Sequence, residues 1–275
     1  MSWIKLLKHD LRCGLFRSRY FITPILFILP CIVCRIQLFE MGLTGTIGDY
    51  LLFVFEGKSI IMESDNIDTY IPVLWLLIIS GCLLINLDYL LDDMTHYGLQ
   101  IMVRSKTRVR WFVSKCIWNA ISVLMYYLVG ILTIVAFAVI SGSEIEIKNT
   151  PVFTNIIYNE ILIQPISLTM LDVVFITIVA PCVTVAAISM IEMALCTIAP
   201  PVVSFILCIC QIFIAFYVQS PYGLGNGAMS IRSSIISESG ISTYKAVLFA
   251  VFTLILAAFL GTLRMQKADI LGSNE

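Results

Sequence analysis

The sequence predicts an all-α polytopic membrane protein, with six transmembrane helices behind an N-terminal amphipathic interfacial helix. Three observations lead there. The 275 residues are 59% apolar and only 13% charged, whereas soluble domains run near 45–50% and about 25%. Mean hydropathy is +0.96. Apolar runs of about 20 residues recur, and each is long enough to cross a hydrocarbon core roughly 30 Å thick at about 1.5 Å per helical residue. A transmembrane barrel would instead show short segments of alternating hydropathy.

Residues 2–18 carry Trp3, Ile4, Leu7, Leu11 and Leu15 at helical spacing, with Lys5, Lys8, His9 and Arg12 on another face. That pattern suits a helix lying on the membrane, its cationic face toward anionic head groups. The alternative is the ordinary basic flank of a first span. No cleavable signal peptide is expected, because the first apolar run follows this basic segment and is too long for the apolar core of a leader. The first span covers about 20–39 and contains Pro24 and Pro30, which membrane helices tolerate and which favour kinks. Arg35 sits about one turn from its far end, placed either to snorkel to the interface or to line a substrate pathway.

Residues 40–70 form an acidic outer loop. Within it Ile47, Leu51, Val54 and Phe55 are spaced for a short helix lying on the outer leaflet. Its Gly57-Lys58-Ser59 resembles the end of a phosphate-binding loop, but Leu52 stands where that motif needs its earlier glycine. The second span covers about 71–91, a polar and basic island follows at 92–111, and the third span runs from about 112 to 140. Residues 141–168 are a second acidic outer loop. The apolar tract 169–219 is too long for one crossing and right for two. Pro200-Pro201 divides it into spans at about 170–193 and 198–219. A loop rich in Gly and Ser, 220–244, leads to the sixth span at about 245–264. No internal repeat is evident, and 1–275 reads as one transmembrane domain.

Six spans put both termini on one side. With the termini cytoplasmic, twelve of the seventeen Lys and Arg residues lie inside: Lys5, Lys8, Arg12, Arg17, Arg19, Arg104, Lys106, Arg108, Arg110, Lys115, Arg264 and Lys267. Four lie outside (Lys58, Lys148, Arg232 and Lys245), and Arg35 is ambiguous. Because Lys and Arg in short loops resist translocation, the expectation is a multi-pass plasma-membrane protein with cytoplasmic termini. None of the nine cysteines falls in an outer loop, so a disulfide framework is not expected. Cys31-x-x-Cys34 and Cys208-x-Cys210 read as small buried apolar residues rather than as metal or redox sites.

Catalytic signatures are missing. The chain has no Walker A sequence, no Gly-x-Ser-x-Gly and no His-Glu-x-x-His. Its two histidines, His9 and His96, lie outside the spans, so a membrane metalloprotease or serine protease lacks its base. The ionisable residues within spans, Asp88, Asp172 and Glu192, fall near helix ends, where charge costs less than at mid-bilayer. A proton-coupled carrier generally needs carboxylates nearer the midplane.

The island Asp92–Lys115 reads DDMTHYGLQIMVRSKTRVRWFVSK. Asp92 and Asp93 suit the exposed N–H groups that open a short helix. Gly98, Leu99, Ile101, Met102 and Val103 then provide an apolar stretch ahead of Arg104, Lys106, Arg108 and Arg110. Two readings stay open on these residues: a short amphipathic helix offered to a groove in a soluble partner, or a solvated basic loop.

The island resembles the first cytoplasmic loop of type-two ABC (ATP-binding-cassette) export permeases. The matching residues are Asp92 and Asp93, Gly98, Leu99 to Val103, Ser105, Arg108, Trp111 and Lys115. The leading WIKLLKHDLRCGLFRSRYF also resembles that family's amphipathic first helix. Thr95-His96-Tyr97 and Lys106 depart from the pattern, where family members often carry Glu and Arg before the glycine and Pro after the serine.

The resemblance implies a permease subunit paired with a second, identical or related one, and docked on separate cytoplasmic ABC ATPase subunits. ATP and Mg would be bound by those partners, and no cofactor or metal by this chain. Asp92, Asp93, Tyr97, Gly98, Leu99, Met102, Ser105 and Arg108 would form the ATPase-coupling segment, and Arg35 and Asp172 would flank the substrate pathway. The expected cargo is an amphipathic peptide, a small hydrophobic compound or a lipid; nucleic acid is not an expected partner. Two other functions stay open: a non-transporting immunity or scaffold protein, and a lipid-modifying enzyme built on Asp88, Asp92, Asp93, His96 and Glu192.

Overall fold

The computed structural model describes residues 3–15, 18–58, 71–92, 108–157, 167–237 and 239–267. Among these residues the chain is helical, with only isolated β-bridge pairs. The helices are α1 (Trp3–Leu15), α2 (Ile22–Glu40), α3 (Ile47–Val54), α4 (Val73–Asp92), α5 (Arg108–Ile140), α6 (Pro151–Ile157), α7 (Met170–Leu195), α8 (Pro201–Tyr217) and α9 (Thr243–Lys267).

Among the described residues, four helices are long and apolar enough to cross a membrane: Ile22–Glu40, Val109–Ile140, Met170–Leu195 and Thr243–Gln266. The apolar parts of α4 and α8, Val73–Leu87 and Pro201–Tyr217, are shorter. Every span expected from the sequence thus has a helix at its position, and the ends differ by a few residues. α5 starts at Arg108 rather than near 112, because Trp111, Phe112, Ser114 and Lys115 are all buried in its first turns. α8 starts where the two prolines put it: Pro200 is the N-cap residue, with ψ 143°, and Pro201 opens the helix. Proline suits that first position because its missing N–H would have no intrahelical partner there.

α7 is not uniform. Phe175–Val179 forms a π-helical turn, and Pro181 follows within the helix. Pro181 has no N–H to offer the Thr177 carbonyl and its ring crowds that position, which accounts for the widened turn. Thr177 Oγ1 turns back to donate to Val173 O at 2.6 Å.

α9 packs chiefly along α7, α1 along α5, α2 against α5 and α4, and α4 against α7 and α8. Small residues set the close approaches, as is usual for helices that cross membranes. A Cβ on Gly130 of α5 would come within 2.4 Å of the Phe27 ring of α2. Phe27 in turn meets Tyr126 and Phe55 at ring-centroid distances of 5.6 and 6.2 Å.

One end of the bundle is closed by a cap of loop segments and short helices. The sequence predicts α3 as a helix on the leaflet surface. It forms, but Ile47, Leu51, Val54 and Phe55 are at most 4% exposed. Two segments distant in sequence cover it. Ile47 and Gly48 N–H donate to Glu144 and Glu146 carbonyls at 3.3 Å each, and Ser230 and Ile231 N–H donate to Phe55 and Glu56 carbonyls at 2.8 and 3.2 Å. A Cβ at position 48 would stand 2.0 Å from Lys148 O, so only glycine lets these backbones approach. α1 lies at the opposite end.

Candidate functional site

The α1 end is where the structure concentrates polar chemistry inside apolar packing. On α1, Leu6 and Asp10 face inward, four residues apart on one helical face. Leu6 joins Leu87, Trp111, Phe112, Met190, Met193 and Met265, drawn from α4, α5, α7 and α9. Asp10 Oδ1 pairs with Lys115 Nζ of α5 at 2.8 Å, both side chains fully buried. Ser114 Oγ donates to Asp10 Oδ2 at 2.5 Å, and Lys115 Nζ lies 5.5 Å from the centre of the Trp111 ring. A buried pair of this kind adds little net stability, because desolvating both charges offsets their attraction, but losing either partner alone is costly. It pins the amphipathic helix to the base of α5, directly beside the 93–107 island in sequence.

Deeper in the bundle a hydrogen-bond chain crosses three helices. Ser122 of α5 donates to Asn86 Oδ1 of α4. Asn86 Nδ2 donates to Ser189 Oγ of α7 at 2.8 Å, and Ser189 Oγ donates to Asn119 Oδ1 of α5 at 2.8 Å. Since Ser122 has spent its proton on Asn86, Tyr20 is the donor in the 2.6 Å contact between Tyr20 and Ser122. Every bond therefore runs in one direction, from Tyr20 toward Asn119. Such chains are favoured where the alternative is an unpaired polar group in apolar surroundings. Glu192, one helical turn beyond Ser189, is 2% exposed. It is enclosed by protein rather than sited at an interface, as its position near a helix end had suggested.

Sequence reasoning missed Asp10, Asn86, Asn119, Ser122 and Ser189. The available signal was the presence of Asn and Ser inside apolar helical runs, with Asn119 and Ser122 three residues apart and so on one face.

Most of the expected coupling segment (Asp93, Tyr97, Gly98, Leu99, Met102 and Ser105) lies outside the described residues, as does His96. Asp92 is the last residue of α4 and Arg108 the first of α5. Arg35 and Asp172 are not brought together with that end; both sit toward the cap. Arg35 Nη1 donates to Thr44 O at 3.3 Å, folding the side chain over the α2–α3 connection. Asp172 closes a capping box at the start of α7, accepting from Thr169 N and Thr169 Oγ1 at 3.2 and 2.6 Å.

The cap has its own buried charges. Asp49 accepts from Thr46 and Thr150 through four hydrogen bonds of 2.6–3.0 Å, joining two loops about a hundred residues apart. Arg232 is 1% exposed. It donates through Nη1 and Nη2 to the Ala215 and Phe216 carbonyls at 2.6 and 2.7 Å, and through Nε to Lys58 O at 2.8 Å. It thereby satisfies the last carbonyls of α8, which have no partner within the helix. Burial lowers its guanidinium to about 10, still charged at neutral pH, and pushes the nearby Glu56 carboxyl up to about 8.

The nine cysteines are free thiols. Cys31 and Cys34 are buried on one face of α2, and Cys208 is buried while Cys210 is exposed on α8. Among the described residues no three His, Cys, Asp or Glu side chains converge as metal ligands.

Residues 27–271 match the model of the family DUF2705, described as a protein of unknown function. The chain belongs to that family. No curated protein and no solved structure matches it.

Proposed function

We propose that this chain is the membrane-spanning permease subunit of an ATP-driven exporter of the ABC class. In this reading α2, α4, α5, α7, α8 and α9 are the six spans, α1 lies in the cytoplasmic interface, and residues 93–107 dock on a separate ATPase. The observation that carries it is the construction around the island. α4 and α5, the helices that lead into and out of 93–107, are tied together by Ser122–Asn86 and tied to α7 through Ser189. α1 is locked to the same base by Asp10–Lys115. A push on the island would move α4 and α5 as one unit and pass to α7, which is what a coupling element must do. Differential ATP binding to two states can drive such a switch.

α4 packs on both α2 and α8, and the three carry exposed apolar side chains, among them Ile25, Leu29, Val73, Leu77, Val202 and Ile206. This supports a second permease subunit meeting them within the bilayer. An apolar groove of about 350 Å³ between α2 and α5, lined by Ile28, Val129, Leu132, Thr133, Ala136, Phe137 and Ile140, supports amphipathic cargo such as a peptide, a small hydrophobic compound or a lipid. Of the residues offered for a lipid enzyme, Glu192 borders a cavity of only about 10 Å³, too small for a lipid head group.

The test is purification of the full chain from its native membrane, with cysteine cross-linking from Gly98 and Leu99. Cross-links to an ATPase, together with loss of cargo-stimulated ATP hydrolysis on substitution of Gly98 or Leu99, would support the reading. A chain that purifies without any ATPase, or substitutions that leave transport unchanged, would refute it and favour the immunity or scaffold alternative.

A further inference from the structure

At the end of the directional hydrogen-bond chain lies a cavity of about 10 Å³, bordered by Asn86, Trp118, Asn119, Ser189, Glu192 and Met193. Roughly that volume, available to the centre of a water-sized sphere, holds one water molecule. On residues bordering it, Asn119 Nδ2 and Glu192 Oε1 are buried and have no hydrogen-bond partner among the described residues. Their side chains are 1% and 2% exposed.

The chain decides what these atoms present. Ser189 donates to the Asn119 oxygen, which fixes the amide orientation and leaves Asn119 Nδ2 as a terminal donor. Glu192 Oε1 provides a terminal acceptor. A ligand that meets both must accept one hydrogen bond and donate another. A metal cation takes only acceptors and would face the Asn119 amide N–H. A hydroxyl-bearing solute larger than water does not fit.

We propose that this cavity is a binding site for a single water molecule, which accepts from Asn119 Nδ2 and donates to Glu192 Oε1. The water completes a polar link from Tyr20 through α5, α4 and α7 to Glu192. It also makes the α5–α7 contact adjustable. Two helices joined through a water can shift by remaking its bonds, whereas a direct contact would leave Asn119 and Glu192 unpaired when it parted. The site stands independently of any ATPase partner.

Hydroxyl radicals generated from water by pulsed X-rays mark side chains beside bound water, so the test is radiolytic footprinting of the full-length protein in lipid nanodiscs. Met193 and Met190 are both buried, at 4% and 2% exposure, three residues apart on α7, but only Met193 borders the cavity. Trp118 and Trp75, at 1% and 3%, form a second such pair. Oxidation of Met193 and Trp118 severalfold faster than of Met190 and Trp75 is expected. Equal protection within each pair would overturn the proposal. In Glu192→Leu, Met193 oxidation should fall to the rate of Met190; undiminished oxidation in a folded variant would mean that Glu192 does not hold the water. If that variant fails to fold, the wild-type comparison still decides.

Discussion

Replacing Lys115 by Met removes one partner of a fully buried ion pair, while the Ser114 hydroxyl still donates to Asp10. Breaking a buried pair from one side costs about 3–5 kcal/mol, because the remaining carboxylate loses a compensating charge without regaining water. The cost falls on the docking of α1. This helix attaches to α5 through Asp10 and to the rest of the bundle through Leu6 and its apolar neighbours. Undocking of α1 is therefore expected to become roughly a hundred- to several-thousand-fold more frequent. Amide hydrogen exchange in detergent reads it directly, as faster exchange across Trp3–Leu15 while α7 and α9 keep their protection. The double variant Asp10→Leu/Lys115→Met removes both charges together and should recover most of the protection, since apolar replacement of a whole buried pair is often neutral or better. If Lys115→Met leaves α1 exchange unchanged, or if the double variant is as damaged as the single one, the pair does not hold α1.

Ser189→Ala leaves Asn86 Nδ2 and Asn119 Oδ1 without their bridging hydroxyl and is expected to lower stability by about 1–2 kcal/mol, measured as thermal unfolding in detergent; an unchanged midpoint would remove the chain from the account of how α4 and α7 are joined. Arg232→Lys should not rescue the cap, because one ammonium cannot reproduce donors at Nε, Nη1 and Nη2. Both Arg232→Met and Arg232→Lys are expected to cost about 2–4 kcal/mol through unpaired carbonyls, seen as fraying of the last turn of α8 in hydrogen exchange. Glu56 has its carboxyl raised to about 8 by burial, so its neutral form is the one the fold favours. Its contribution is fully present below its ordinary value near 4.5 and is lost as pH rises through about 8. Melting of the wild type relative to Glu56→Gln should therefore fall between pH 5 and pH 9, and parallel curves would show that the fold does not favour the neutral form of Glu56.

The helical class, the place of each long helix and the break at Pro200-Pro201 were legible because they depend on local properties. An apolar run of sufficient length must satisfy its backbone internally, and a proline pair ends a helix whatever surrounds it. The amphipathic pattern of α1 was legible for the same reason. The partner of Asp10 was not, since Asp10 and Lys115 are separated by 105 residues and a single charge on a short helix carries no sign of what it will meet. Glu192 shows the same limit from the other direction: a position near a helix end reads as exposed, and only the packing of α4 and α5 against α7 encloses it.

What the amino-acid sequence determined alone is which segments become helices and which of their faces are apolar, because those follow from composition and periodicity within a few turns. What only the tertiary structure decided is the partners. The cap buries α3 because segments about a hundred and 180 residues downstream fold over it. The chain from Tyr20 to Asn119 exists because α4, α5 and α7 bring four isolated polar residues within hydrogen-bond reach. Hydrogen bonds and ion pairs act over about 3 Å in space and are blind to distance along the chain, so their pattern appears only when the helices are packed.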